Sequence, residues 1–139
     1  MEIATGYFAK AQSYADDGYV LVSIAKKKPW FLPDGLELHE EKRLAPTDEI
    51  LSLKDNPVEY EKKYRNEVLR FWNPHEIYCS LYGWMVAHNA KKVVLLCYET
   101  PEKFCHRHIV AKWLSDGIGL EVKEASVENI KGISQETLF

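Results

Sequence analysis

The 139-residue sequence lacks long apolar runs, a strong excess of charge of one sign and an even number of cysteines. It has no run of about 18 apolar residues and no basic segment leading into an apolar one at its start, so we expect a soluble, cytoplasmic protein without membrane contact. A formal net charge of −3 excludes wholesale coating of nucleic acid and leaves only a local basic patch. The three cysteines, without an export signal, predict reduced thiols rather than a disulfide framework.

Several short motifs are also missing. No G-x-G-x-x-G, C-x-x-C or H-x-x-x-H pattern occurs, which argues against dinucleotide binding and makes zinc a weak hypothesis. Such a zinc site would have to use Cys97, Cys105 and His106 or His108. A phosphatase-type cysteine loop would need Arg where the chain has Lys103. We therefore expect no metal and no cofactor.

Apolar residues make up 46% of the chain, which is enough for one hydrophobic core. One nearly uniform apolar stretch predicts a strand buried on both faces of a parallel sheet, and three others predict further strands. The buried stretch is Tyr19–Ala25, and the others are Glu2–Phe8, Val93–Glu99 and Leu120–Ala125. These strands predict a single-domain α/β fold over residues 1–125, with a mostly parallel sheet flanked by helices in a Rossmann-like three-layer arrangement, and a polar tail over 126–139.

Two predicted helices begin with the same pattern. The segments Asn56–Glu59 and Asn73–Glu76 each place Asn before the helix, Pro at its first position and Glu at its third, as a capping box requires. Apolar residues recur on one face of each helix, and we expect both faces in the core. The faces comprise Tyr60, Tyr64, Val68 and Phe71 with Trp72 beside them, and Ile77, Leu81, Trp84, Met85 and His88. We interpret Cys79 and His88 as packing or boundary residues.

Other local signals complete the chain. Ala9–Asp17 predicts a short helix, Thr47 fits the N-cap of another, and Gly117 fits a left-handed end of the last helix. Gly6 lies in the first strand, where we expect the backbone to pass close to another group. Pro29–Pro46 shows no sustained period of 2 or 3.6 residues and predicts a loop that covers a site.

The densest set of reactive side chains follows the strand Val93–Glu99. It comprises Cys97, Glu99, Cys105, His106 and Arg107. Lys26, Lys27 and Lys28 follow the strand Tyr19–Ala25, and parallel strands end at the same edge of a sheet. We therefore expect both groups to face one hollow, under a loop that carries Trp30 and Phe31.

The two cysteines have different expected roles. Cys105 lies near a helix start, where the positive end of the peptide dipoles, Arg107 and Lys103 favour a thiolate, so it is the predicted nucleophile. Cys97 ends an apolar run and is equally consistent with a buried core residue. If the helix instead starts at Thr100, Cys105 lies beyond its first turn and loses most of the dipole effect.

The remaining groups leave alternatives open. His106 falls on the inward face of the helix and is either a core histidine or a general base, whereas His108 falls on the outer face. Glu99 shares a sheet face with Cys97 and fits either a base or a helix cap. Arg107 suits a phosphate or carboxylate, although a surface salt bridge is its ordinary structural role.

The segments Leu95–Glu99 and Phe104–Ala111, with Thr5–Phe8 near the start, resemble the signature of the domain of unknown function 488 (DUF488) family. The resemblance implies a compact α/β fold with a mostly parallel sheet and implies little about activity. The recurrent polar positions of the family would map onto Cys97, Glu99, Cys105, His106 and Arg107. Many members close the second strand with Asp and Arg, where this chain has Ser23 and Lys26.

These observations lead to one functional hypothesis and two alternatives. The first is an enzyme acting on a phosphorylated or nucleotide-like anion, with Cys105 as nucleophile and His106 or Glu99, beside Cys97, carrying the proton. The residues expected to orient its substrate are Arg107, Lys26, Lys28, Ser23 and Trp30. The alternatives are a non-catalytic module that binds nucleic acid or another anion, and the weaker zinc site. Reaction, substrate and oligomeric state do not follow from the sequence.

Overall fold

Five parallel strands form one sheet. They are β1 (Glu2–Tyr7), β2 (Tyr19–Ser23), β3 (Leu38–Glu40), β4 (Lys92–Cys97) and β5 (Val122–Glu124), in the spatial order β3-β2-β4-β1-β5. The structure is a computed structural model that describes residues 1–100 and 103–125. The parallel sheet confirms the predicted α/β fold, and the predicted tail over 126–139 lies outside the described residues.

Helices connect the strands, and their starts agree with the sequence. They are α1 (Ala11–Asp16), α2 (Asp48–Leu51), α3 (Pro57–Glu67), α4 (Pro74–Ala87) and α5 (His106–Ile118), with 3-10 turns at Phe8–Lys10, Lys42–Leu44 and Leu69–Phe71. The side chains of Thr47, Asn56 and Asn73 each accept a hydrogen bond from a backbone N–H of the first turn of α2, α3 and α4. The three predicted N-caps are therefore confirmed. Within the described ranges no helix is long and apolar enough to cross a membrane.

The sheet is buried on both faces because alternate strand residues point to opposite sides. On one face, Val93, Leu95 and Cys97 of β4 pack into a core with α3, α4 and α5. On the other, Val94 and Leu96 pack with α1 and the segment that leads to β3. This alternation aims the Cys97 side chain at α5, where the predicted reactive residues lie.

Three expectations fail for local reasons. The predicted loop Pro29–Pro46 contains β3, which is too short to produce a periodic pattern and pairs with β2 from Leu21 to Ser23. Phe71 is 67% exposed rather than in the core, because α3 ends at Glu67 and Phe71 belongs to the following turn. The last helix continues past Gly117 to Ile118, and Gly119 adopts the left-handed conformation with φ of 75°.

Gly6 is the site of the close backbone approach that the sequence predicts. A Cβ atom added to Gly6 would lie 2.6 Å from the Cζ and hydroxyl oxygen atoms of Tyr14, whose side chain is buried under β1. The ring of Tyr14 therefore occupies the space that any other side chain at position 6 would need.

We expect Gly6→Ala to lower the free energy of unfolding by about 1–3 kcal/mol, because overpacking displaces a well-packed ring. Urea denaturation measures this difference. Gly83→Ala is the matched control, since Gly83 lies inside α4 with nothing within 4 Å of an added Cβ. It should stabilise the protein by about 0.5–1 kcal/mol. Equal stability of Gly6→Ala and the wild type would contradict the close approach.

Candidate functional site

The carboxyl ends of β2 and β4 open onto a cavity of about 500 Å³. β2 and β4 are adjacent parallel strands, so the segments that follow them leave the sheet on the same edge. The cavity is lined by Ala25, Lys26, Lys27, Pro46, Asp48, Leu51, Lys54, Tyr60, Cys97, Tyr98, Glu99, Phe104, Cys105 and His106. The structure thus brings Lys26 together with Cys97, Glu99, Cys105 and His106.

Four predicted substrate-binding residues are not among those that line the cavity: Ser23, Lys28, Trp30 and Arg107. The Ser23 hydroxyl is buried and accepts a hydrogen bond from the backbone N–H of Ala25 at 3.2 Å. Trp30 is 93% exposed, and α2 rather than the Trp30–Phe31 segment forms the neighbouring wall. Sequence reasoning missed Lys54 and Tyr60 because they lie far along the chain from the strand ends, and it missed Phe104 because an aromatic residue beside Cys105 carries no reactive group.

Cys97 and Cys105 are joined by a disulfide, which corrects the expectation of three reduced thiols. Cys97 is the last residue of β4 and Cys105 is the N-cap of α5, so the disulfide links the end of the strand to the start of the helix. Cys79 is free and exposed on α4. An odd number of cysteines did not reveal that two of them would be brought into contact by the turn from strand to helix.

The structure shows where α5 starts, which the sequence left open between Thr100 and a position near Cys105. α5 begins at His106, with Cys105 in extended conformation as the N-cap, rather than at Thr100. The sulfur of Cys105 therefore lies at the helix start, where the partial positive charge of the peptide dipoles is strongest. His108 lies on the outer face, as predicted, and is exposed.

His106 is buried, with one ring nitrogen bonded and the other facing sulfur. Its Nε2 lies 2.7 Å from the carbonyl oxygen of Ile24, and since a carbonyl only accepts, Nε2 carries the proton. Nδ1 is therefore unprotonated, and it lies 3.9 Å from Sγ of Cys105. Burial, with a smaller effect of the nearby Arg107, lowers the pKa of His106 to about 4, so the ring is neutral at pH 7. His106 is therefore a buried core histidine through Nε2, and the general-base role of Nδ1 stays a prediction.

Arg107 is fully buried and its donors are used within the fold. Its Nε and Nη2 each donate to a carboxylate oxygen of Glu124 at 3.0 Å, and Nη1 donates to Sγ of Cys97 at 3.1 Å and to the carbonyl of Glu99 at 2.6 Å. Thr5 donates its hydroxyl to the same carboxylate at 2.7 Å. Arg107 is thus neither a substrate ligand nor half of a surface salt bridge. Glu124 was missed because the alternating β5 sequence gives no sign that this acid meets a buried cation.

The charges around the cavity are mixed. Lys26 pairs with Asp48 at 2.5 Å, and this ion pair lowers the pKa of the Asp48 carboxyl. The Tyr98 hydroxyl donates to the carbonyl of Lys27 at 2.7 Å and holds the two strand ends together. Between residues 1–100 and 103–125, no salt bridge joins Lys27 or Lys54 to an acid. The lining of the cavity thus carries Lys26, Lys27 and Lys54 beside the acids Asp48 and Glu99.

Two groups of side chains in the described residues could each offer three ligand atoms to one metal ion. Cys97, Cys105 and His106 form a buried group, and Glu37, His39 and His88 form a second one nearer the surface. The disulfide and a metal ion exclude each other in the first group, because both need the same two sulfur atoms. His108 belongs to neither group.

Comparison with protein families gives one match. The family model described as "DUF488-N3a: Active DUF488-N3 subclade" matches residues 32–117. Comparison with curated proteins and with solved structures finds no match. The matched range begins before β3 and ends near the end of α5, so it includes Cys97, Glu99, Cys105, His106 and Arg107.

We expect the free energy of unfolding to decrease by about 3 kcal/mol as the pH falls from about 6.5 to about 4, because of His106. The unfolded chain binds a proton to this ring throughout that window, whereas the folded protein does not. The stabilising contribution is complete above the unfolded pKa and is lost on acidification. Urea denaturation at several pH values measures the slope. His106→Gln keeps an N–H for the Ile24 carbonyl and should remove the part of the pH dependence that comes from His106. If the slope is the same in this variant as in the wild type, His106 is not its source.

We expect Glu124→Gln to lower the free energy of unfolding by about 2–3 kcal/mol, since it leaves a buried guanidinium without its counter-charge. The matched control is Glu121→Gln, because Glu121 pairs with exposed Lys123 and its side chain is 73% exposed. That control should change stability by less than about 0.5 kcal/mol. Thermal and urea unfolding measure the stability of both variants. Equally small losses of stability would show that the buried charge of Arg107 does not need Glu124 as its counter-charge.

Proposed function

The chain belongs to the DUF488 family, and from this premise we propose that it is an enzyme acting on a phosphorylated or nucleotide-like anion. The observation that carries the proposal is the unprotonated Nδ1 of His106 facing Sγ of Cys105 at a cavity that also presents lysines. The matched model describes its subclade as active, which supports a catalytic rather than a purely structural protein.

In the proposed reaction the reduced protein uses Cys105 as its nucleophile. The thiol gives its proton to Nδ1 of His106, and the sulfur forms a bond to the phosphorus atom of the bound phosphate ester while the P–O bond to the alcohol breaks and the leaving oxygen takes the proton from Nδ1. Water then hydrolyses the S–P bond, which releases phosphate and restores the thiol. Nε2 keeps its hydrogen bond to the Ile24 carbonyl throughout, so the ring does not need to turn. Glu99 lines the same cavity and is the second candidate for moving a proton.

An anionic substrate fits the weak basicity of His106. Burial disfavours the imidazolium, so His106 accepts a proton poorly when the cavity holds no anion. A negative charge placed beside the ring would raise its pKa and favour transfer of the proton from Cys105. The proposed enzyme would therefore form its thiolate mainly when substrate is bound.

Lys27 and Lys54 are the proposed contacts for the anion, with Lys26 beside them. Lys26 forms a salt bridge with Asp48, whereas no acid among the described residues forms a salt bridge with Lys27 or Lys54. Tyr60, Tyr98 and Phe104 line the cavity and offer apolar surface for the rest of the substrate, such as a base. Arg107 acts as a positioning residue, because it donates hydrogen bonds to Cys97 and to the carbonyl of Glu99 and so holds both at the cavity.

The proposal requires a compartment that reduces the Cys97–Cys105 disulfide. Thiols persist in the cytoplasm, where thioredoxin and glutathione reduce most disulfides. We therefore place the proposed activity there, in the dithiol form of the protein.

The test measures alkylation of Cys105 by iodoacetamide in reduced protein that carries Cys79→Ser. We expect a nucleoside 5′-monophosphate to protect Cys105, and Lys54→Ala to raise the concentration needed for half protection about tenfold, the value of one charge-assisted hydrogen bond. Mass spectrometry follows the modified peptide, and nuclear magnetic resonance should show the His106 pKa rising on addition of the nucleotide.

The matched control is Lys112→Ala. Lys112 lies on the outer side of α5, pairs with Asp116 at 3.2 Å and does not line the cavity, so this variant should be protected like the parent protein. The proposal fails if no phosphate-bearing compound slows alkylation, or if Lys54→Ala and Lys112→Ala behave alike.

One observation favours the non-catalytic module as a second candidate. Trp30 and Phe31 are 93% and 44% exposed and follow Lys26, Lys27 and Lys28 after one proline, a combination suited to stacking bases and contacting phosphates. A module of this kind would bind single-stranded nucleic acid with a steep salt dependence and would lose affinity in Trp30→Ala. The enzyme proposal instead predicts that Trp30→Ala leaves nucleotide protection of Cys105 unchanged.

A further inference from the structure

Three metal-ligand side chains meet at the edge of the sheet, away from the cavity at the strand ends. Glu37 directly precedes β3, His39 is the second residue of β3, and His88 is the C-cap of α4. His39 and His88 are 49 residues apart in the chain. None of the three lines the cavity that carries Cys105.

The distances between their ligand atoms match those around a metal ion. Nε2 of His39 lies 2.8 Å from Nε2 of His88, and Oε2 of Glu37 lies 3.7 Å and 3.5 Å from these two nitrogens. Around a tetrahedral zinc ion with ligands at about 2.0–2.1 Å, ligand atoms lie about 3.3–3.4 Å from one another. The three measured separations bracket that value, so small side-chain rotations suffice to bind an ion.

One hydrogen bond holds this group together, and the Glu37 carboxylate, whose side chain is 67% exposed, otherwise faces solvent. With both imidazoles in the neutral form, one proton lies between their Nε2 atoms, and the carboxylate oxygen lies beyond the usual hydrogen-bond distance of about 3.2 Å from both nitrogens. Three electron-pair donors thus converge on one point with a single proton among them. A divalent cation would satisfy all three, with the shared proton moving to Nδ1 of its ring.

We propose that Glu37, His39 and His88 form a zinc site that clasps the edge strand β3 to the end of α4. Two imidazoles and one carboxylate are ligands that zinc accepts readily, and no thiolate is needed. Glu37 and His88 border a separate cavity of about 300 Å³, which gives water access to the fourth coordination position. The site is independent of the proposed enzymatic activity, since it shares no residue with it.

The surroundings hold two of the ligands in place before the ion binds. The ring of His39 stacks on Trp84 of α4, with centroids 4.9 Å apart and planes inclined by 16°. The backbone N–H of His88 donates to the Trp84 carbonyl at 3.1 Å, and the next residue, Asn89, turns the chain with a positive φ of 53°. Trp84 therefore orients the His39 ring by stacking, and its carbonyl fixes the backbone of His88 at the end of α4.

The experiment titrates Zn²⁺ into the tag-free, full-length oxidised protein by calorimetry, and Co²⁺ by visible absorption. With the disulfide intact, Cys97 and Cys105 cannot bind the ion, so we expect one site whose Co²⁺ spectrum lacks a thiolate band. His88→Gln should weaken zinc binding at least about 100-fold, since losing even an outer-shell partner costs about 10–100-fold. Zinc at 100 times the Kd should raise the Tm of the wild type by about 5–10 °C.

His75→Gln is the matched control. His75 is an exposed histidine in the first turn of α4, outside the proposed ligand set, and its loss should leave zinc affinity and the Tm shift unchanged. Glu37→Gln is a second test, which removes an exposed carboxylate. A Tm in the presence of chelator equal to that of the wild type shows that each variant folds. The inference is overturned if no saturable binding occurs below about 1 mM zinc. It is also overturned if His88→Gln and Glu37→Gln bind like the wild type.

Discussion

A fully buried guanidinium, that of Arg107, determines how the strand ends and α5 fit together. Removing such a charge from water costs several kcal/mol, and the cost is offset only when every donor finds a partner. Glu124 on β5, the sulfur of Cys97 on β4 and the carbonyl of Glu99 supply those partners. The edge strand β5, the end of β4 and the start of α5 are therefore constrained by one side chain.

The neighbouring residue constrains the same helix from another direction. Successive residues of a helix point about 100° apart, so His106 and Arg107 reach different parts of the sheet. His106 donates to the carbonyl of Ile24, just beyond β2, while Arg107 binds groups of β4 and β5. The first turn of α5 is held to three strands by two adjacent residues, and this places the sulfur of Cys105 over the cavity.

The parts of the fold that the sequence predicts are those set by local physics. Uniform apolar runs identify β2 and β4, and the Asn-Pro starts identify α3 and α4, because burial and capping act within a few residues. The sequence does not predict β3 because a strand of three residues carries no periodic pattern, and it does not predict the disulfide because it does not show how close Cys97 and Cys105 lie in the fold. The pairing of Arg107 with Glu124 and of His39 with His88 escapes for a third reason: each joins residues on different elements, and sequence spacing contains no trace of that contact.

The charges of His106 and Arg107 explain why two basic residues side by side have such different roles. Arg107 is permanently charged and pairs with Glu124, and the positive potential that remains around its guanidinium acts on the neighbouring His106. That potential and burial both oppose a second positive charge on His106. In the reaction proposed for the reduced protein, His106 would stay neutral until a negative charge enters the cavity and would then take a proton from Cys105. Under that proposal the buried Arg107 sets the condition under which His106 acts as a base.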